Sequence, residues 1–174
     1  MINSCYTPLR FWGGKSAAMA FSETGTDILA PGGGCDYPAI VSYQNDFDGT
    51  NPISKEYYDR FYKAINFCNT AIYHVKNVPF SDKALTSKRE AEVRFLRAYY
   101  YWILVETFGD TYYTDQPSES IVMAPRKTSV SEIYTHIFED LDFCMDSRLS
   151  VAQSDGGRCY DVGCQSFEGS FAID

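Results

Sequence analysis

The segment from Ser87 to Asp110 constrains the fold more than any other part of the sequence. Ser87 and Glu90 have the spacing of a helix capping box, and Gly109 stands where a helix would stop. The apolar residues between them recur at intervals of three and four: Ala91, Phe95, Ala98, Trp102 and Val105, flanked by Leu96, Tyr99, Ile103 and Phe108. A helix with so wide an apolar surface must be covered on more than one side. We therefore predict a central helix with other helices packed along it.

Two further segments have helical periodicity. Residues 53–77 follow Pro52, a favourable first helical residue, and place these residues on one face: Tyr58, Phe61, Ile65, Cys68, Ile72 and Val75. Ser129 and Glu132 form another capping box, and the helix after it, predicted to end near Leu149, has these core positions: Val130, Ile133, Ile137, Leu141 and Cys144. Proline residues between 111 and 127 indicate that residues 111–127 form an extended connection between two helices, the crossing segment.

The first fifty residues are less regular. Residues 3–21 predict one short or broken helix, and residues 22–51 are rich in glycine and aspartate, which is typical of a loop, with one brief strand at 40–43. Loops of about thirty residues are uncommon inside a compact domain and are often functional.

The central segment also carries a family resemblance. Glu92, Phe95-Leu96-Arg97-Ala98, Tyr99-Tyr100, Leu104 and Gly109-Asp110 resemble the signature of the SusD/RagB family. The preceding helix, through Tyr62, Ile65 and Asn69, and the following one, through Arg126, Ser129, Glu132-Ile133-Tyr134, Ile137 and Glu139-Asp140-Leu141, are similar to its neighbouring segments. Together these segments span residues 51–149. Val93 replaces the usual Ala, and Tyr112-Tyr113 replace the usual Pro-Leu.

The resemblance implies an all-α fold of antiparallel helical hairpins of the tetratricopeptide type, with a long irregular loop between the first and second helices. It implies an incomplete N-terminal helical region over residues 1–153. Members of the family are outer-membrane lipoproteins that bind glycans or other nutrients without cleaving them and deliver them to a TonB-dependent, SusC-like transporter. We therefore expect a cell-surface lipoprotein whose signal peptide and lipid-anchor cysteine are absent from this chain; the alternative is a cytoplasmic protein.

Composition excludes several functions. The net charge of −8 disfavours nucleic acid, whose phosphates require clustered Lys and Arg. Six cysteines without a Cys-x-x-Cys pair, and two isolated histidines, His74 and His136, indicate neither a metal site nor a redox motif, and no cofactor is predicted. Cys68 and Cys144 lie on apolar faces, where a thiol is usually a buried small hydrophobe.

The predicted ligand-binding residues lie in or beside the glycine-rich loops. Trp12, Tyr37 and Tyr43 offer aromatic faces on which a sugar ring can stack, and Asp27 and Asn45 offer polar contacts to hydroxyls. Surface packing for the rings and Asx-turns for Asp27 and Asn45 are the alternatives. The acidic ridge of Glu139, Asp142 and Asp146 indicates a solvated helix face, and no catalytic residue is predicted.

Two other functions stay open at this point. One is a helical-repeat scaffold that binds protein and no sugar. The other is a fragment of a glycoside hydrolase, which would need two opposed carboxylates, one with a raised pKa.

Residues 154–174 show no helical periodicity. With suitable synonymous codons for Cys159 to Ala172, reading one base later gives an amphipathic helical peptide that resembles the family's next segment. We therefore interpret this tail as frameshifted or disordered; sequencing the gene tests the frameshift.

Overall fold

The computed structural model describes residues 2–12, 21, 23, 26, 40, 43, 51–75, 77–78, 83–118 and 123–146, and these contain five helices. The helices are α1 (Ile2–Cys5), α2 (Leu9–Trp12), α3 (Pro52–Val75), α4 (Lys83–Phe108) and α5 (Val130–Asp146). Among these residues the only β-type pairing is a single bridge between Thr111 and Thr128. The predicted all-α class is therefore confirmed.

The chain divides into two compact units. The first contains Met1–Cys5 and Ala64–Asp174, and the second contains Tyr6–Lys63. Helices α1, α4 and α5 belong to the first unit, α2 belongs to the second, and α3 has residues in each. The boundary predicted at residue 153 lies outside the described residues.

Helix α4 is the centre of the first unit. Its buried apolar residues are Ala91, Val93, Phe95, Leu96, Ala98, Tyr100, Tyr101, Ile103, Leu104 and Val105. Because neighbouring positions on a helix point in different directions, this closely spaced set means that α4 is covered on several sides, as predicted. Tyr99 and Trp102 are half-buried, so they lie at the margin of this core.

The two ends of α4 differ in how well they could be predicted. The helix ends at Phe108, and Gly109 follows with φ of 68°, a left-handed conformation that glycine adopts without a Cβ penalty. The predicted start at Ser87 is wrong, because the helix begins at Lys83. Residues 83–86 contain neither Gly nor Pro to interrupt a helix, and Glu90 binds Arg94 through hydrogen bonds of 3.0 and 2.8 Å.

Helices α4 and α5 form an antiparallel hairpin. Cys144 Sγ donates to Ala91 O at 3.1 Å, while at the other end Tyr134 Oη donates to Glu106 Oε1 at 2.5 Å. The start of α4 therefore contacts the end of α5, and the end of α4 contacts the start of α5. The predicted helical-hairpin architecture is confirmed for this pair.

Side chains on both sides of the crossing segment cap the start of α5. Val130 N donates to Asp110 Oδ1 at 3.0 Å, and Glu132 N donates to Ser129 Oγ at 3.3 Å. These bonds satisfy amide groups that have no partner within the first helical turn. Gly109 and Asp110 therefore end one helix and help to begin the next.

Helix α3 begins at Pro52 as predicted, with Asn51 Oδ1 accepting from Ile53 N at 3.0 Å. Its buried face includes Tyr57, which is fully buried, whereas the predicted Tyr58 is only half-buried. Helix α3 ends at Val75, two residues before its predicted end.

One prediction for the first fifty residues needs correction and another needs detail. Residues 3–21 were predicted to form one short or broken helix, and among the described residues they contain the one-turn helices α1 and α2 and a helical Phe21. The strand predicted at 40–43 is wrong where it is described, because Ile40 is helical and buried and Tyr43 lies in a turn.

Candidate functional site

An aromatic cluster forms in the unit that spans Tyr6–Lys63. Helix α2 contributes Phe11 and Trp12, and α3 contributes Tyr57 and Phe61. The Tyr57 ring lies edge-on to Phe11 and Trp12, with centroid separations of 5.7 and 5.5 Å, and 4.9 Å from Phe61. These separations fall in the range that aromatic quadrupoles favour. Tyr57 therefore organises the rings that surround it.

Trp12 sits at the edge of this cluster. Its indole is half-buried and packs edge-on against Tyr57 and, at 6.0 Å, against Phe61. The remaining surface of the ring is accessible to solvent. Trp12 thus combines a packing role with the exposed aromatic surface predicted for it.

A cation lies beside the same cluster. The Arg60 guanidinium carbon is 4.4 Å from the centroid of the Phe11 ring, and Arg60 also binds Glu56 through bonds of 2.8 and 2.6 Å. The carboxylate holds the guanidinium in place over the ring, which is a cation–π arrangement. The cluster therefore presents aromatic and charged groups together.

Tyr43 is the second predicted aromatic residue that the structure describes. Its side chain is 67% exposed, and its φ of 50° places it in the left-handed region. That conformation costs a non-glycine residue about 1–2 kcal/mol. Backbone strain of this kind is concentrated at functional sites, where the surrounding structure holds it. Tyr43 therefore has the exposure and the backbone constraint expected of a ligand-contacting ring.

The other three predicted site residues, Asp27, Tyr37 and Asn45, lie outside the described residues. Trp12 and Tyr43 belong to the same unit of the chain. Their assignment to a ligand site stays a prediction.

A separate polar cluster lies within the first unit. Arg97 of α4 donates to both carboxylate oxygens of Asp140 on α5, with both bonds at 2.7 Å, and to Asn69 Oδ1 on α3 at 2.9 Å. Arg94 Nη1 donates to Asp140 Oδ1 at 2.9 Å. Asn69 Nδ2 in turn donates to the carbonyl oxygens of Thr114 and Gln116, at 2.9 and 3.1 Å. The cluster therefore joins three helices and the crossing segment.

The protein itself supplies the partners in this cluster. Burial opposes the positive charge of Arg97, but the hydrogen bonds and charge of Asp140 outweigh it and raise the pKa of Arg97. The pKa of Tyr101 is also raised, in this case by burial itself, and its hydroxyl donates to Thr114 O at 2.8 Å. These buried groups therefore hold the helices and the crossing segment together.

Sequence reasoning missed Asp140 as a buried residue. The predicted ridge of Glu139, Asp142 and Asp146 is exposed, whereas Asp140 beside it is 3% exposed. A signal was present, because Asp140 follows Ile137 by three positions and precedes Cys144 by four, so it occupies a core position of the apolar stripe. An acidic residue at such a position indicates a buried basic partner.

His136 has partners in the described structure. Its ring stacks on Tyr113, with centroids 4.0 Å apart and planes inclined by 10°, and its Nδ1 lies 2.9 Å from Glu139 Oε2. Burial raises the pKa of Tyr113 to about 12. The histidine therefore packs against another side chain of the protein.

Exposed aromatic residues also lie on α3. Phe67 is 45% exposed and Tyr73 is 58% exposed, and the Tyr73 ring meets His74 edge-on at 5.1 Å. Neither residue was predicted as a site. Both fall outside the apolar stripe of α3, which is the signal that could have distinguished them from the core.

Among the residues that the structure describes, no group of three or more His, Cys, Asp or Glu side chains is arranged to hold a metal ion. None of the helices in that set has the length and apolarity needed to cross a membrane.

A family model described as SusD-like, starch-binding and associating with the outer membrane matches residues 35–148. The match therefore includes the crossing segment and all of α3, α4 and α5. No curated protein matches the chain.

Solved structures share the fold. A SusD superfamily protein from Bacteroides vulgatus superposes with a TM-score of 0.82 at 19% identity, covering 98% of this chain and 37% of that one. A laminarin-binding SusD-like protein gives 0.78 at 21% identity, covering 97% and 38%. A crystal structure with xylogluco-oligosaccharide gives 0.74 at 22% identity, covering 97% and 34%. This chain thus spans little more than a third of the length of these structures.

Proposed function

Because this chain belongs to the SusD-like family, described as starch-binding and associating with the outer membrane, we propose that it binds glycans at the outer-membrane surface without cleaving them. The family match over residues 35–148 is the observation that carries the proposal. In the same proposal the bound glycan passes to a TonB-dependent, SusC-like transporter, and the protein is attached to the membrane as a lipoprotein.

The aromatic residues of the Tyr6–Lys63 unit supply the recognition chemistry. A pyranose ring has apolar C–H faces that stack on aromatic rings, and Tyr43 and the exposed part of Trp12 offer such surfaces. Asp27, Tyr37 and Asn45 would donate or accept hydrogen bonds to sugar hydroxyls. Recognition of this kind needs no general acid or base.

The buried carboxylates support a role without catalysis. Among the described residues, Glu90, Glu92 and Asp140 are the buried acidic side chains. Each binds an arginine: Glu90 binds Arg94, Glu92 binds Arg89, and Asp140 binds both Arg94 and Arg97. A glycoside hydrolase instead keeps one carboxyl protonated by an apolar environment or a second carboxylate. These three residues are committed to ion pairs.

The solved structures suggest which glycans to test first. One neighbour binds laminarin, and another was solved with a xylogluco-oligosaccharide. These two structures are 21% and 22% identical to this chain, so we use their ligands only to choose the glycans for the test. Starch belongs in the same panel because of the family description.

Affinity electrophoresis tests the proposal. The chain is run through native gels that contain laminarin, xyloglucan or starch, beside a gel without polysaccharide and a protein that binds none of them. We expect retardation in at least one polysaccharide, and no release of reducing ends when the same glycan is incubated with the protein. Unretarded migration in all three gels, by a chain whose helical circular dichroism unfolds cooperatively, contradicts glycan binding.

A protein-binding scaffold is the second candidate. The exposed Phe67 and Tyr73 of α3 favour it, because exposed aromatic residues are enriched at protein interfaces. The same gels separate the two functions, since a scaffold migrates alike with and without polysaccharide.

A further inference from the structure

Residues 123–127, at the end of the crossing segment, form an exposed run of the chain. All five are exposed, Met123 by 90%, and none of them belongs to a helix or a β-bridge. Within the described part of the chain, no backbone hydrogen bond holds these residues. Thr128, the next residue, is held, because its amide donates to Thr111 O at 2.8 Å. The run therefore has an accessible backbone that stops at a fixed point.

Two adjacent basic residues, Arg126 and Lys127, lie in this run. Neither side chain forms an ion pair or a hydrogen bond with another residue that the structure describes. Of the described Lys and Arg residues, these two alone lie outside the helices. Their charged ends and their backbone are therefore both accessible to another protein.

An endopeptidase of the trypsin class recognises a segment with these properties. Its specificity pocket selects the residue before the cut, and an acidic pocket selects Arg or Lys. Its cleft holds the substrate backbone in an extended form, through hydrogen bonds like those that join β-strands. A basic residue inside a helix does not fit, because its backbone groups are already bonded within the helix. Arg126 and Lys127 meet both requirements.

Lys88 and Arg89 provide an internal comparison. They are also adjacent and basic, but they lie within α4 and are half-buried. Arg89 Nη1 also donates to Glu92 Oε2 at 2.8 Å. A protease reaches this pair only when α4 opens locally, which costs free energy that the exposed run does not require. The two pairs have the same chemistry and differ in their structural setting.

A cut in the exposed run would leave the contacts of α5 in place. The residues that bind α5 and its first turn to the rest of the unit all follow Lys127: Thr128, Val130, Tyr134, Asp140 and Cys144. Helix α5 also buries Ile133, Ile137 and Leu141. Because residues 123–127 make none of these contacts, cutting among them removes the covalent connection and no contact of the core.

We propose that the Arg126–Lys127 pair is a cleavage site for a trypsin-class endopeptidase, and that α5 stays bound to α4 after the cut. The protease nucleophile attacks the carbonyl carbon of Arg126 or Lys127, and the amine of the following residue leaves with a proton. Water then releases the acyl group as a carboxylic acid, so the net change is the addition of one water molecule. The inference does not depend on glycan binding.

Limited proteolysis of the native 174-residue chain tests the site. The chain is treated briefly with a low ratio of trypsin, the reaction is quenched, and the new α-amino groups are labelled and identified by mass spectrometry after a Glu-specific digest. We expect termini at Lys127 or Thr128 to appear at least about tenfold faster than termini from cuts after Lys88 or Arg89. In a chain denatured beforehand in urea, the two pairs should be cut at similar rates.

A double substitution provides the control. Arg126→Gln with Lys127→Gln should leave the circular dichroism spectrum unchanged, because both side chains are exposed, and should abolish the new termini at 127 and 128. In the native wild-type chain, cuts after Lys88 or Arg89 that are as fast as cuts after Arg126 or Lys127 overturn the proposal. A native chain that trypsin does not cut at this pair overturns it as well.

Size-exclusion chromatography of the cut protein tests the second part of the proposal. A denaturing gel should show separate fragments from the two sides of the cut. Under native conditions these fragments should elute together, with the helical circular dichroism of the uncut chain. A fragment that begins at residue 127 or 128 and elutes by itself would show that α5 leaves α4 after the cut, which contradicts the proposal.

Discussion

Arg97 and Asp140 face each other with two parallel hydrogen bonds of 2.7 Å, and their side chains are only 6% and 5% exposed. Arginine is suited to this contact because its planar guanidinium matches both oxygens of a carboxylate. Asn69 completes the group through its bond to Arg97. The three segments that resemble the SusD/RagB signature each contribute one of these residues, so the resemblance corresponds to a physical junction between α3, α4 and α5.

We predict that Arg97→Ala destabilises the protein strongly. The substitution leaves Asp140 buried with only the Arg94 contact, and removing one member of a buried ion pair costs about 3–5 kcal/mol. Urea unfolding followed by circular dichroism measures the change. The matched control is Lys55→Ala, because the Lys55–Asp59 pair has side-chain exposures of 73% and 45% and should contribute less than about 1 kcal/mol. Equal effects of the two substitutions would show that the buried pair is not a major contributor.

Tyr113 should make stability depend on alkaline pH. Burial raises its pKa in the folded protein to about 12, from an ordinary value of 10.0. The unfolded chain therefore loses this proton first, so the contribution is fully present below pH 10 and is lost as pH rises through about 12. We expect Tyr113→Phe, which keeps the ring on His136, to reduce the loss of unfolding free energy over that interval by on the order of 1–2 kcal/mol. Urea melts in reductant at several pH values measure this slope, and an unchanged slope contradicts the prediction.

Gly109→Ala tests the end of α4. The φ of 68° disfavours any residue with a Cβ, whereas no atom lies within 4 Å of the position that a Cβ would occupy. The cost should therefore be conformational only, about 1–2 kcal/mol in unfolding free energy. Gly109→Asn should cost less, because Asn tolerates the left-handed region better. A loss much larger than this for Gly109→Ala would indicate a clash, and no loss would indicate that the backbone relaxes easily.

The features that the sequence predicted correctly depend on local chemistry. Pro52, Gly109 and Ser129 mark helix ends through the conformation or the hydrogen bond of a single residue, and each has the predicted role. The prediction for the start of α4 was wrong because it also relied on local chemistry alone. Ser87 and Glu90 satisfy a local pattern, but nothing between 83 and 86 stops the helix from beginning earlier.

The features that were missed depend on contacts between distant residues. The burial of Asp140 follows from its pairing with Arg97, 43 positions away, and a period of three or four along one helix does not identify the partner. The predicted ligand residues rest on loop composition, which indicates where a ring can be exposed but not which rings share a surface.

Tyr43 and Trp12 should respond differently to truncation if the aromatic residues of the Tyr6–Lys63 unit bind glycan. Tyr43 is 67% exposed, so Tyr43→Ala should change the free energy of unfolding by less than about 1 kcal/mol while weakening glycan affinity about tenfold. Trp12→Ala removes packing against Tyr57 and Phe61, so it should lower both affinity and stability, the latter by about 2–3 kcal/mol. Affinity electrophoresis and urea melts on the same preparations measure the two quantities.

Tyr73→Ala is the matched control for these variants. Tyr73 is also an exposed aromatic residue, at 58%, but it belongs to the other unit and was not predicted to contact ligand. Its removal should leave retardation in the polysaccharide gel unchanged. Both rings are exposed, so a difference between the two variants must come from where each ring lies. If Tyr73→Ala abolishes retardation while Tyr43→Ala does not, the glycan contacts the exposed face of α3 that carries Tyr73, and the predicted site is wrong.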